Sequence, residues 1–167
     1  MKNKKNYSQI NSFFILTGFF ILIFSCKQKD SCNIPCFNGV CIDNSCNCTS
    51  GYEGDSCTIL TTEKFIGDWS ANDACDTINY KYTATIAAST SLPNELMITN
   101  FGEFGTTFVI KAQISGFTFT VPEQLVQGIT LSGNGTVDTT AKIIVVSYTA
   151  MDELNNISVC TGSWIKL

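Results

Sequence analysis

The chain reads as all-β in two parts: a small disulfide-rich module, then an antiparallel meander barrel of about eight strands. Three observations predict this. Six of the nine cysteines fall between residues 32 and 57, in the order Cys32-x3-Cys36-x4-Cys41-x4-Cys46-x-Cys48-x8-Cys57. From about Thr62 onward β-branched and aromatic residues dominate, with turn residues roughly every 8–12 positions. Between those turns apolar and polar residues alternate with the period of a strand.

The amino terminus indicates export. Lys2, Lys4 and Lys5 precede an apolar run from Phe13 to Phe24, broken only by Thr17 and Gly18. That run falls well short of the roughly 20 residues a membrane-spanning helix needs, so a signal peptide over 1–25 is expected. It ends Ile23-Phe24-Ser25-Cys26, which resembles the lipobox of bacterial lipoproteins. The resemblance implies cleavage before Cys26, acylation of Cys26 and membrane attachment through this N-terminal lipid anchor. Several acyl chains anchor firmly, because each buried CH₂ contributes about 0.8 kcal/mol and one chain alone binds marginally. The competing reading is ordinary signal cleavage nearby, with Cys26 left as a spare thiol. Residues 26–31 would form a short tether. Lys27, in place of a retaining Asp, favours the outer membrane of the cell envelope, with surface exposure left open.

Composition narrows the chemistry. Without residues 1–25 the chain carries 7 Lys against 14 acidic groups, and it has no Arg and no His. Nucleic acid is a poor partner for such a surface. Absence of His removes the commonest general base and metal ligand. There is no Gly-x-Ser-x-Gly elbow, and the close carboxylates Asp73 with Asp76, and Asp152 with Glu153, read as solvated turn residues. No catalytic, cofactor-binding or metal-binding residue is assigned, and a non-enzymatic protein is expected.

Six clustered cysteines in so short a stretch take the place of a core that it is too small to build. They allow fifteen pairings, and spacing alone does not choose among them. A zinc site is the rival reading, disfavoured in an exported chain that lacks two separated Cys-x-x-Cys pairs. The ending Cys48-Thr-Ser-Gly51-Tyr52-Glu-Gly54-Asp-Ser-Cys57 and the Cys46-x-Cys48 step resemble an EGF-like module over 32–57. The resemblance implies disulfides Cys32 with Cys41, Cys36 with Cys46, and Cys48 with Cys57. Asn38-Gly39 is expected to form a tight hairpin turn, and Gly51 and Gly54 to relieve crowding around Tyr52. Lys29-Asp30-Ser31 lacks the acidic and amide arrangement of calcium-binding modules of this family, so a calcium-free module is expected. A stiff spacer is its preferred role, and recognition of a protein partner the alternative.

The second domain, 62–167, is read from its alternating runs. Tyr80, Tyr82, Ala84 and Ile86 share one face; so do Phe108, Ile110, Ala112 and Ile114, and Phe117, Phe119 and Val121. Ile144, Val146 and Tyr148 repeat the pattern, while Ile143 and Val145 on the other face predict a central or covered strand. Turns are expected at Leu92 to Asn94, Asn100 to Gly105, Ser115-Gly116, Gly133 to Gly135 and Asp152 to Asn156. Closing the meander would remove its exposed edges. Gly67-x-Trp69 resembles the Gly-x-Trp signature that opens lipocalin-like barrels, which implies that Trp69 plugs one end. Cys75 and Cys160 are the remaining pair, and closure would bring their strands together. The whole chain has twelve phenylalanines, and several of them on the predicted inner face predict a packed interior, with those of Phe101 to Gly105 capping the core. The expected role is non-catalytic binding of a protein or glycan, or a structural surface function. The alternative is a carrier of a small apolar ligand inside the barrel.

Overall fold

The structure, a computed structural model, describes residues 32–167. The expected signal peptide, Cys26 and the tether lie outside the described residues.

The cysteine-rich segment holds two small hairpins, β1 (Gly39–Ile42) with β2 (Ser45–Cys48), and β3 (Tyr52–Glu53) with β4 (Ile59–Leu60). Disulfides join Cys32 to Cys41, Cys36 to Cys46 and Cys48 to Cys57, with Cα atoms 5.7, 5.6 and 5.3 Å apart. Between Cys32 and Leu60, Cys57 is the single buried apolar side chain among the described residues, so sulfur crosslinks stand in for a core. The first hairpin turns at Asp43-Asn44, both at positive φ (49° and 61°), the backbone a two-residue hairpin turn needs. This corrects the expected turn at Asn38-Gly39: Gly39 pairs with Cys48 inside the ladder, and Asn38 Nδ2 donates to the Cys57 carbonyl at 2.9 Å.

This segment abuts one end of the following domain. The Thr61 amide donates to the Gly51 carbonyl at 2.9 Å, and Gly51 backs onto the Pro93–Asn94 backbone with no room for a Cβ. After a 3₁₀ turn (Thr61–Lys64), the Lys64 ammonium pairs with Glu53 and lies 4.7 Å from the centroid of the Phe117 ring.

Eight strands then form a closed antiparallel barrel. They are β5 (Gly67–Cys75), β6 (Ile78–Ala88), β7 (Glu95–Thr99), β8 (Val109–Ser115), β9 (Thr118–Val126), β10 (Ile129–Val137), β11 (Ile143–Met151) and β12 (Ile157–Lys166). Closure comes from β12 pairing with β5, where Cys160 faces Cys75 and Trp164 faces Ala71. Every barrel strand thereby has a paired neighbour on both sides, which removes the free edge strands an open sheet would expose. Alternation decides what points inward: Trp69, Ala71, Asp73 and Cys75 from β5, and Ile144, Val146, Tyr148 and Ala150 from β11.

Three expectations are corrected here. Gly133 to Gly135 is no turn but the middle of β10, where a Cβ on either glycine would strike Tyr148 or Phe119. The chain turns instead at Gln127-Gly128 and at residues 138–142. Ile143 and Val145 are 43% and 59% exposed: β11 is central, paired with β10 and β12, but a single-layer barrel has nothing outside it to cover the strand. Phe117 precedes β9 and lies outside, under Lys64, while Phe119 and Val121 are buried.

The two ends of the barrel differ. At the end against the cysteine-rich segment, Phe65 and Trp69 are fully buried, and Trp69 Nε1 donates to the Phe65 carbonyl at 2.8 Å. Phe65 meets Phe119 edge-on at 5.9 Å, and the Lys166 ammonium lies 5.3 Å from the Trp69 ring centroid. The opposite end is bounded by residues 76–77, 100–108, 127–128 and 152–156.

Candidate functional site

The site is built from the inner faces of β5, β6, β11 and β12. Period-two alternation carries Asp73 inward together with Trp69 and Cys75, and its side chain is 0% exposed. A buried carboxylate is costly unless donors satisfy it. Three do: Tyr82 Oη at 2.5 Å and Tyr148 Oη at 2.9 Å donate to Oδ2, and Trp164 Nε1 donates to Oδ1 at 2.7 Å. Tyr82 Oη in turn accepts the Gly102 amide at 2.9 Å. Burial, then the Asp73 charge, push both phenols far above the ordinary tyrosine range. Their protons stay on oxygen and point at Asp73. The expectation that Asp73 belongs with Asp76 in a solvated turn is therefore corrected; only Asp76 is exposed, at φ 52° in the β5–β6 connection.

Gly162 on β12 makes room for this carboxylate. A Cβ there would overlap Asp73 Oδ1 and sit 3.0 Å from Val146 Cγ2. Gly162→Ala is expected to destabilise by about 1–3 kcal/mol through overpacking, read as a lower urea midpoint at unchanged slope.

Above the network the barrel interior is not filled. A cavity of about 330 Å³ opens at the end away from the cysteine-rich segment. Tyr148 and Ala150 form its floor, the Cys75–Cys160 disulfide one wall, and Gly102 to Phe104 another. Cys75 and Cys160, with Cα atoms 4.1 Å apart, tie the first barrel strand to the last at the cavity's edge. Phe101 is buried, with its ring centroid 4.6 Å from Tyr148 and 5.6 Å from Trp164, whereas Phe104 is 39% exposed and lines the cavity. The expected core-capping role thus belongs to Phe101, and Phe104 serves the cavity.

The rim is shaped by Asp152, which accepts Asn156 Nδ2 at 2.7 Å and the Leu154 and Asn156 amides at 2.9 Å. These hydrogen bonds hold its carboxyl below the usual range, so it stays charged on the cavity wall. With both inner phenol protons committed, the floor offers oxygen lone pairs and aromatic faces.

Of the residues singled out from sequence, the structure brings Cys75 and Cys160 to the cavity and keeps the other three disulfides in the cysteine-rich segment. The Asp73, Tyr82, Tyr148 and Trp164 network was missed. The available signal was parity: Asp73 stands an even number of residues from Trp69 and from Cys75, so a regular strand puts all three on one face.

Comparison with known proteins adds little to this picture. No family model matches the chain. A stretch of 31 residues, 19% of this chain, is 45% identical to "Putative protein tag-53" of Caenorhabditis elegans, of which it covers 2%. Among solved structures, a protein of unknown function from Bacteroides ovatus aligns with a TM-score of 0.44 at 14% identity, over 61% of this chain and 41% of that one. A DUF3598-family protein of unknown function from Nostoc punctiforme aligns at 0.38 and 14% identity, over 63% and 48%. The chain therefore spans less than half of each of these proteins.

Proposed function

We propose that this is an exported, lipid-anchored protein of the cell envelope that binds a small ligand, without catalysis, at the mouth of its barrel. One observation carries the reading: the cavity lies at the end of the barrel opposite the cysteine-rich segment. In an anchored chain that segment, EGF-like in its spacing and its sulfur pairing, acts as a spacer between membrane and barrel. The lipocalin-like barrel then holds its mouth outward. Trp69 and Phe65 seal the membrane-proximal end. At about 330 Å³ the cavity stands at the small end of ligand sites, which run from about 300 to 1,000 Å³.

Ligand-observed NMR against a small-fragment library tests the binding. Ser158 is half-buried at the mouth, so Ser158→Trp fills the cavity without entering the core. Hits are expected with the native chain and lost with this variant; hits that survive it would place binding elsewhere. The anchor is tested separately. Cys26→Ser is expected to move the protein from the membrane fraction to the soluble one, and mass spectrometry should find acylated Cys26 in the native chain. An unmodified Cys26 would remove the basis for the anchor.

A second reading is favoured by Phe37 and Val40, 68% and 60% exposed on the cysteine-rich segment, which would suit a protein partner. Phe37→Ser would then abolish capture of that partner while leaving fragment binding intact.

A further inference from the structure

The chemistry of the cavity selects among ligands. We propose that the mouth binds an organic cation, an ammonium group carried on a small apolar or aromatic body. This rests on the reading of the cavity as a ligand site and adds the class of ligand.

Three independent features point the same way. The first is the floor. Tyr148 Oη spends its proton on Asp73, so toward the cavity it presents only lone pairs. Tyr82 Oη behind it is likewise committed, and the Asp73 charge lies within one hydrogen bond of the floor, with no cationic side chain beside it among the described residues. A ligand carboxylate or phosphate would meet acceptors backed by a buried negative charge. An ammonium would meet complementary oxygen.

The second feature is the wall. Tyr80, Phe104 and Tyr148 line it with aromatic rings. Their negative π-faces attract a cation and are indifferent or repulsive to an anion. The third is uncompensated acid at the mouth: the sealed end mixes both signs, with Glu63, Asp68 and Asp138 as well as lysines, and the mouth does not. The mouth connections carry Asp76, Glu103, Asp152 and Glu153 and no lysine. Lys64, Lys142 and Lys166 lie at the sealed end, and Lys81 and Lys111 project from mid-barrel on the outer surface. Concave walls of low dielectric focus such a field into the cavity. Asn156 leaves that sign unchanged, because its side-chain amide is spent on Asp152. Tyr80 and Ser158 supply neutral hydroxyls that suit the apolar body or a second hydrogen bond.

The test compares ligands of one shape and three charges: 2-phenylethylammonium, 2-phenylethanol and 3-phenylpropionate, titrated calorimetrically into the full mature chain. The ammonium is expected to bind at least about tenfold tighter than the propionate, with the alcohol between. Glu103 is exposed on the rim and makes no side-chain hydrogen bond among the described residues, so Glu103→Gln should fold normally. It should weaken the ammonium about two- to fivefold and leave the alcohol unchanged. Raising salt from about 0.05 to 0.5 M should do the same. Equal or tighter binding of the propionate, lost in Ser158→Trp, would overturn the cation inference and leave the ligand site standing. Binding of the ammonium that persists in Ser158→Trp would overturn the placement. Failure of all three ligands, and of the fragment library, would end both readings.

Discussion

Replacing Cys75 and Cys160 together by alanine is expected to lower the stability of the barrel by about 4–5 kcal/mol. The bridge joins residues 85 apart in sequence, and a loop of that length loses much of its unfolded freedom when closed. Its location adds to this. Cys75 ends β5, Cys160 lies on β12, and these two strands make the seam where the first and last barrel strands pair. Loss of the bridge therefore frees the contact of highest sequence separation. Alanine is the better probe than serine, since Cys160 is buried and a hydroxyl there would need a partner. Urea unfolding should show a lower midpoint and a steeper slope, because the uncrosslinked unfolded chain exposes more surface. The cysteine-rich segment keeps its own three disulfides in this variant, which reduction by thiol would not allow. A loss below about 1 kcal/mol would mean that the β5–β12 ladder closes the barrel unaided.

The strand faces were legible in the sequence because a strand with one buried side must alternate, and a closed barrel has one buried side along every strand. Tyr80 to Ile86, Phe108 to Ile114 and Ile144 to Tyr148 all lie as their spacing requires. Where the sequence misled, two physical causes compete for one residue type. Gly133-Asn134-Gly135 has turn chemistry, yet its glycines answer to Tyr148 and Phe119 crossing close above the strand, which only the packed barrel defines. Apolar character alone makes Ile143 and Val145 look covered, but β-branched residues also suit an exposed strand face. The site was least legible. Asp73 takes its donors from positions 9, 75 and 91 residues away, so nothing local distinguishes it from a solvated aspartate except its parity with Trp69 and Cys75. The cavity depends on where the inward side chains stop, and composition alone, rich in phenylalanine, argued for a filled interior.

Asp73→Ala is expected to destabilise the protein by about 3–5 kcal/mol, because three buried donors lose their acceptor at once and each unsatisfied group costs about 1–3 kcal/mol before water enters. Asp73→Asn keeps the volume but turns an amide donor toward donors, so it should recover less than half of that loss. A companion pH experiment isolates the network. Both phenols titrate far above their ordinary value of 10.0 in the folded chain, raised first by burial and then by Asp73. A raised folded value means the unfolded chain releases its protons first as pH climbs. The contribution of these tyrosines is complete below about pH 10 and drains away above it, by up to about 1.4 kcal/mol per pH unit for each. Urea unfolding between about pH 9 and 11.5 should thus show a fall of roughly 2–3 kcal/mol per unit once past 10. Tyr82→Phe/Tyr148→Phe should flatten that fall while lowering stability near neutrality. A native chain whose stability is level across this range would mean that solvent reaches the phenols, and Asp73 would then be no buried anchor for the cavity floor.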